Sequence, residues 1–159
     1  MIKNMLFILT LMLSGVVDCV ATEPADIPPD GIDTNSVAVG EIIDGEITDL
    51  RHSTCTLSLA DNTKEDSYNY VEGAICPEAE GECTYSAIMK LNGKITILKQ
   101  ISSEENTSIF QNEDILLTVK QAPIAEPTED EEGSDIKATI DIKTKSTERK
   151  FHMFGYCGV

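Results

Sequence analysis

The sequence lacks tryptophan altogether and contains only two histidines, His52 and His152. A serine-hydrolase triad needs a histidine beside a nucleophile and a carboxylate, and the Gly-x-Ser-x-Gly turn that often presents the serine is missing. The sequence has no glycine-rich phosphate-binding loop either. Carboxylate pairs that cleave sugars need a defined cleft, which a chain with only 5% aromatic residues does not indicate. We therefore expect a protein that is not an enzyme and that has no cofactor.

Basic residues are also scarce, since 12 lysines and arginines stand against 28 acidic residues, for a net charge of −16. Removing residues 1–21 takes away only Lys3 and Asp18, so 11 basic and 27 acidic residues remain and the net charge does not change. Such a surface repels nucleic acid and anionic lipid, so we expect no nucleic-acid partner. A basic protein is the partner that this charge would attract. The simpler alternative is that the charge only keeps the protein soluble.

The one long hydrophobic run lies at the N-terminus. Lys3 precedes residues 5–13, which are all apolar except Thr10. A positive start and a short apolar core are typical of a signal peptide, whereas a bilayer span needs about 20 apolar residues. Cys19 and Ala21 place small residues at the −3 and −1 positions of a cut after Ala21. We expect cleavage of residues 1–21, export to the periplasm or the medium, and no transmembrane segment in the mature chain.

A second interpretation of the leader makes Cys19 a lipidated cysteine. The short apolar core and Val16 resemble a bacterial lipoprotein leader, although Asp18 departs from the small residue expected before the cysteine. Residues 22–39 are rich in proline and acids and poor in apolar side chains, which predicts a flexible linker. Such a linker would suit a tether, and an acyl chain on Cys19 would anchor the protein to the cell envelope.

The other four cysteines, Cys55, Cys76, Cys83 and Cys157, form an even set in an exported chain, which predicts two disulfides. Their scattered spacing is unlike the clustered pairs of a zinc site, so we expect no metal. Four cysteines allow three pairings. We favour Cys83–Cys157 with Cys55–Cys76, because a bond at Cys157 would hold a chain end that could otherwise fray.

Residues 40–159 form the predicted globular domain, with β-rich runs divided by polar turn residues. About 120 residues can bury one modest core. We predict an all-β fold: a single small sandwich or barrel of about seven or eight mostly antiparallel strands, stapled by the disulfides. In the last strand Phe151 and Met153 alternate with Phe154 and Tyr156. Because both faces carry aromatic residues, we expect this strand to be covered on both sides.

The best local signal is a hairpin around Asn92-Gly93. A two-residue turn would pair Met89 with Thr96, so that an apolar residue of one strand lies opposite a polar residue of the other. A three-residue loop over residues 91–93 pairs Met89 with Ile95 and brings the apolar residues to one face. We therefore predict the three-residue loop.

Residues 123–135 have no apolar periodicity and predict a mobile acidic loop. A basic partner could be bound by Glu126, Glu129, Asp130, Glu131, Glu132 and Asp135 of this loop, or by the acidic residues from Glu78 to Glu82. The sequence therefore favours an exported, non-enzymatic protein that binds another macromolecule. A narrower hypothesis is an inhibitor or immunity protein against a basic toxin or lysozyme-like hydrolase, and a second alternative is a membrane-tethered structural lipoprotein.

Overall fold

The computed structural model describes residues 36–43, 45–76, 82–125 and 132–158, and the regular structure in these residues is all β. The strands are β1 (Val39–Gly40), β2 (Ile42–Ile43), β3 (Leu50–Leu59), β4 (Ser67–Tyr68), β5 (Tyr70–Ile75), β6 (Thr84–Leu91), β7 (Lys94–Glu104), β8 (Thr107–Gln111), β9 (Ile115–Pro123), β10 (Gly133–Thr144) and β11 (Glu148–Gly158).

Eight of these strands close into an antiparallel barrel in the order β3, β5, β6, β7, β8, β9, β10 and β11, with β11 returning to pair with β3. The predicted all-β fold of about eight antiparallel strands is confirmed, and of the two predicted architectures the barrel is the one found. β1 adds a ninth strand beside β6, while β2 and β4 form a separate two-stranded ribbon. Among the described strands, closure leaves no long sheet edge open to pairing by other chains.

The barrel interior is filled by side chains that alternate along each strand. Each of the eight strands contributes a residue whose side chain is fully shielded from solvent: Leu57, Tyr70, Met89, Leu98, Phe110, Leu117, Ile140 and Met153. An eight-stranded barrel is just wide enough for side chains to fill, so these residues form one packed core. In the sequence of β10, Ile136, Ala138, Ile140 and Ile142 alternate with polar residues, which predicts a half-buried strand. This prediction is confirmed, since all four residues are buried.

The hairpin between β6 and β7 turns on two residues, so the three-residue loop is wrong. Asn92 and Gly93 both have positive φ, 49° and 79°, as a type I′ turn requires. Met89 pairs with Thr96 and Ile88 pairs with Ile97. The prediction failed because β6 is buried on both faces, with Met89 in the barrel and Ile88 in a second cluster outside it.

The last strand, β11, lies between β3 and β10, and its inward residue Met153 is fully buried. On its outer face, however, Phe154 is 47% exposed and Tyr156 is 49% exposed. The expectation that both faces are covered is therefore wrong. The barrel interior covers one face, and within the described part of the chain nothing comparable covers the aromatic pair on the other.

The four cysteines form two disulfides, as predicted, but the favoured pairing is wrong. The bonds are Cys55–Cys157 and Cys76–Cys83. Cys55 lies directly opposite Cys157 in the β3–β11 pair, with a Cα–Cα distance of 4.1 Å. Cys76 and Cys83 flank the connection between the neighbouring strands β5 and β6, with a Cα–Cα distance of 4.2 Å. Barrel closure, which sequence spacing does not reveal, decides the pairing.

Val37, which precedes the domain boundary predicted at Gly40, packs in the barrel core. The expected leader, Cys19 and residues 22–35 of the linker lie outside the described residues. In the acidic loop, residues 126–131 also lie outside them, while Pro123 ends β9 and Gly133 begins β10. The described residues include no helix with the length and apolar character to cross a membrane.

Candidate functional site

Connections in an up-and-down barrel alternate between its two ends. The β5–β6, β7–β8 and β9–β10 connections therefore join strands at one end, where β3 begins and β11 finishes. In sequence these three connections contain no lysine or arginine and nine acidic residues: Glu78, Glu80, Glu82, Glu105, Glu126, Glu129, Asp130, Glu131 and Glu132. We refer to this as the acidic end.

The connections at the opposite end of the barrel contain both acidic and basic residues. They contain five acidic residues and two lysines: Asp61, Glu65, Asp66, Glu113, Asp114, Lys64 and Lys145. Two of these charges pair with each other, since Lys145 Nζ lies 3.0 Å from Asp114 Oδ1. At the acidic end, the described residues Glu82, Glu105 and Glu132 are all exposed to solvent. The order of the strands thus gathers connections of strongly acidic sequence at one end and connections of mixed charge at the other.

Both disulfides lie at the acidic end. Cys76–Cys83 closes the β5–β6 connection, and Cys55–Cys157 joins the first and last strands of the barrel just below the rim. The segment that leads into β3 is attached there as well, because the Cys76 N–H donates to the Asp49 carbonyl at 3.0 Å. Of the three acidic connections, the one between β5 and β6 is therefore closed covalently, which reduces the conformational entropy that a binding event there would cost.

A buried polar cluster lies inside the barrel beside Cys55. Glu72 pairs with Cys55 across β3 and β5 and is only 5% exposed. The Tyr70 hydroxyl donates to Glu72 Oε2 at 2.6 Å, and Gln121 Nε2 donates to the same oxygen at 3.2 Å. Tyr85 shares a hydrogen bond with the hydroxyl of Thr54. These residues, Glu72, Tyr70, Gln121, Tyr85 and Thr54, are referred to below as the Glu72 cluster.

Burial changes the acid–base properties of this cluster. It raises the pKa of Glu72 above its ordinary value, while hydrogen bonds from Tyr70, Tyr85 and Gln121 partly oppose the change. Burial also raises the pKa of Tyr70 well above its ordinary value, with a further contribution from the neighbouring Glu72 carboxylate. Tyr70 therefore stays a neutral hydrogen-bond donor, and Glu72 retains its proton to a higher pH than an exposed glutamate does.

The two histidines are far apart along the barrel. His52 is exposed near the start of β3, at the acidic end, where it pairs with Ala74. His152 lies on the outer face of β11, with its Nδ1 3.3 Å from the hydroxyl of Thr139. Neither belongs to the Glu72 cluster, so the fold does not bring a histidine to the buried carboxylate.

A groove runs along the outside of the barrel, starting at the acidic end. Two β-bulges in β3, one between Leu50 and His52 and one between Ser53 and Cys55, shift its register against β5. Because each bulge inserts an extra residue, Leu50, Ser53 and Thr56 all pair with outward-facing residues of β5 and line the groove together. The groove has a volume of about 250 Å³.

The other wall of the groove is formed by the β2–β4 ribbon and by the segment that follows β2. Ile42, Ile43, Ile47 and Tyr68 line this side. Beneath the ribbon, Ile42 packs with Val71 and Ile88 in the second apolar cluster. Glu46 holds the segment in place, because its carboxylate accepts hydrogen bonds from the Ile43 N–H at 3.0 Å and from Lys90 Nζ at 2.6 Å. The Lys90 hydrogen bond lowers the pKa of Glu46 from its ordinary value.

Next to the groove lie the two exposed aromatic residues of β11. Tyr156 pairs with Thr56, which lines the groove. Phe154 lies two residues before Tyr156, on the same face of β11. The Tyr156 ring packs over Gly133, where an added Cβ would lie 2.4 Å from its hydroxyl oxygen. This close approach fixes the ring at the acidic end of the outer surface.

The residues predicted to bind a partner are only partly described. Glu132 and Asp135 are exposed at the start of β10, and Asp135 pairs with Tyr156 of β11. Cys19, Glu126, Glu129, Asp130 and Glu131 lie outside the described residues. Sequence analysis missed both the Glu72 cluster and the groove. The signal for the first was the alternation of Tyr70 and Glu72 on one side of a strand; the second depends on bulges that leave no sequence signal.

Among the described residues, no group of three or more histidine, cysteine, aspartate or glutamate side chains is placed to hold a metal ion. Comparison of the chain with protein-family models, with curated proteins and with solved structures finds no match.

Proposed function

We propose that this protein is an exported, non-enzymatic binding protein that captures a basic protein through its acidic end. The observation that supports this most strongly is topological. The barrel brings three connections with nine acidic and no basic residues to the same end, although they are far apart in sequence. Concentrated charge of one sign attracts an oppositely charged partner over distances of about 8 Å at physiological salt and speeds its association.

The disulfides support the same proposal in two ways. They are compatible with an oxidising compartment outside the cytoplasm. Cys76–Cys83 also holds the two ends of the acidic β5–β6 connection together against the mutual repulsion of its carboxylates. A cationic partner relieves that repulsion when it binds, so the charge that costs stability in the free protein contributes to affinity in the complex.

A narrower candidate is an inhibitor of a basic hydrolase of the lysozyme type. The specific observation behind it is the Cys76–Cys83 disulfide, which closes a loop between cysteines only seven residues apart. That loop contains Glu78, Glu80 and Glu82 and no basic residue. A short closed loop loses little conformational entropy on binding, and its charge suits a cationic cleft.

The experiment uses the mature protein to recover basic proteins from the exported fraction of the producing cells, with elution by salt and identification by mass spectrometry. Each recovered protein is then purified and its dissociation constant is measured against two variants. The acidic-end variant neutralises Glu129→Gln, Asp130→Asn, Glu131→Gln and Glu132→Gln. The control variant neutralises Asp61→Asn, Glu65→Gln, Asp66→Asn and Glu113→Gln at the opposite end.

Both variants change the net charge by the same amount, so only the position of the charge differs between them. We expect the acidic-end variant to bind about tenfold or more weakly at physiological salt, and the control variant to stay within about twofold of the wild type. Equal losses in both variants would mean that net charge alone attracts the partner. Recovery of no salt-sensitive basic protein would contradict the proposal outright.

A further inference from the structure

We propose that the groove beside the β2–β4 ribbon is an anchor site that takes one large apolar side chain from the basic partner. This inference rests on the function proposed above and names a second contact that the same partner makes. It is argued from the size of the groove, its place beside the acidic end and the exposed apolar residues around it.

The size of the groove fits a side chain. Its volume of about 250 Å³ lies below the range of about 300–1,000 Å³ that is typical of small-molecule sites. The lining is apolar on the ribbon side, through Ile42, Ile43 and Ile47, and carries the hydroxyl groups of Ser53 and Thr56 on the β3 side. A large apolar side chain can fill this space and leave those hydroxyls in contact with the partner's backbone or with water.

The groove begins next to the acidic end. Leu50 lines its first part, and the preceding residue, Asp49, is hydrogen-bonded through its carbonyl to the N–H of Cys76 in the disulfide-closed connection. A partner segment that contacts the acidic connections with its cationic side chains therefore reaches the groove with the residues next to them.

The rim of the groove carries the exposed apolar area that an interface core needs. Ile43 is 54% exposed on the ribbon, and Tyr156 is 49% exposed on the neighbouring strand. Phe154 extends the same surface at 47% exposure. Protein interfaces typically have an apolar centre surrounded by a polar rim, with binding energy concentrated where a large side chain fills a pocket. The groove supplies the pocket and the acidic end supplies one side of the rim.

Charge selects the occupant. A second copy of this chain would bring another surface of net charge −16 against the acidic end, and the repulsion opposes that contact. A partner segment with lysine or arginine next to a large apolar residue contacts the acidic end with its cationic side chains and fills the groove with the apolar one.

The test uses two synthetic peptides of equal length and equal lysine content, one with a single central leucine and the other with alanine there. Fluorescence anisotropy measures the binding of each peptide to the mature protein at physiological salt. We expect the leucine peptide to bind about tenfold more tightly, as burial of that side chain predicts. The variants Ile43→Ser and Thr56→Trp should abolish this preference, the first by removing part of the wall and the second by filling the groove.

Ile101→Ser is the matched control, because Ile101 is 53% exposed on β7, away from the groove, and so resembles Ile43 in exposure. It should leave the preference unchanged. Equal binding of both peptides to the wild type, with loss of both in the acidic-end variant, would overturn the groove inference and leave the proposed function standing. A leucine preference that survives both groove variants would also overturn the inference. Failure of both peptides to bind would count against the proposed function as well.

Discussion

Cys55 and Cys157 lie directly opposite each other on the two strands that close the barrel, and the disulfide between them joins positions 102 residues apart in the chain. Nearly the whole barrel lies between these two cysteines. Cys76–Cys83, in contrast, closes only a local connection. The two bonds therefore constrain the unfolded chain to very different extents, although they lie at the same end of the fold.

The first prediction concerns this difference. Loop-entropy arguments give about 4–5 kcal/mol for a loop of about 100 residues and about 2–3 kcal/mol for a loop of fewer than ten. We expect the double variant Cys55→Ser, Cys157→Ser to lower the free energy of unfolding in urea by more than the double variant Cys76→Ser, Cys83→Ser does. The reverse order would show that the Cys76–Cys83 bond contributes chiefly through the native state.

The second prediction concerns pH. Burial raises the pKa of Glu72 in the folded state above its ordinary value of 4.5, so between these two pKa values the folded state holds a proton that the unfolded state has released. Stability should therefore decrease as the pH rises above 4.5 through the folded-state pKa. Glu72→Gln, which cannot ionise, should remove this part of the pH dependence.

The measurement for Glu72 is urea unfolding of the wild type and of Glu72→Gln over a series of pH values. The exposed Glu113, at the opposite end, provides the control Glu113→Gln, which should preserve the decrease that the wild type shows. If the difference between the wild type and Glu72→Gln is the same at every pH, Glu72 does not titrate as its burial implies.

The third prediction concerns the hydrogen bond from Tyr70 to Glu72. Tyr70→Phe keeps the ring in the core but removes the donor that lies 2.6 Å from Glu72 Oε2. Leaving a buried polar group short of a partner costs about 1–3 kcal/mol, so the variant should be less stable by about that amount. The loss should be larger at neutral pH than at low pH, because a protonated carboxyl needs the donor less. A loss that does not vary with pH would place the role of Tyr70 in packing alone.

The fourth prediction concerns the inhibitor hypothesis. Added to a basic lysozyme-like hydrolase acting on purified cell walls, the mature protein should reduce the rate of wall hydrolysis. Neutralising the closed loop with Glu78→Gln, Glu80→Gln and Glu82→Gln should weaken this inhibition. The matched control neutralises Asp61→Asn, Glu65→Gln and Asp66→Asn at the opposite end, and it should inhibit as the wild type does. Full activity of the hydrolase at saturating protein would exclude it as the target, while binding of other basic partners would stay open.

Local patterns in the sequence predicted the parts of the fold that depend on single strands. The alternation in β10 indicated a half-buried strand, and the even cysteine count indicated two disulfides, and both predictions are confirmed. The leader, the lipidation of Cys19 and the mobility of the acidic loop stay predictions, since they concern residues outside those described or properties that the fold does not test.

The parts that could not be predicted depend on contacts between distant strands. The pairing of Cys55 with Cys157 follows from the closure of β11 onto β3, which no local pattern encodes. The turn at Asn92 was misjudged because Ile88 is covered by the β2–β4 ribbon, so the apolar residues of β6 do not share one face. Glu72 alternates with Tyr70 on one side of its strand, but this pattern does not tell which side faces inward, and the register beside Cys55 does.

The meeting of the acidic connections at one end of the barrel also depends on contacts between distant strands. Sequence analysis predicted the acidic residues of the 123–135 loop, or those from Glu78 to Glu82, as alternative binding segments. The barrel places the start of that loop at the same end as the disulfide-closed connection of Cys76–Cys83 and the turn at Glu105. The strands that these three acidic connections join thus all meet at one end of the barrel because of the order of the strands.

The most direct test of the central claim is the association rate constant with an identified basic partner, measured by stopped flow from about 0.05 to 0.5 M salt. For the wild type and for the opposite-end control, we predict a fall of about tenfold or more across this range, because steering by the acidic end is progressively screened. The acidic-end variant should associate slowly throughout and depend little on salt. If both variants associate at the same rate and with the same salt dependence, the acidic end is not the surface that captures the partner.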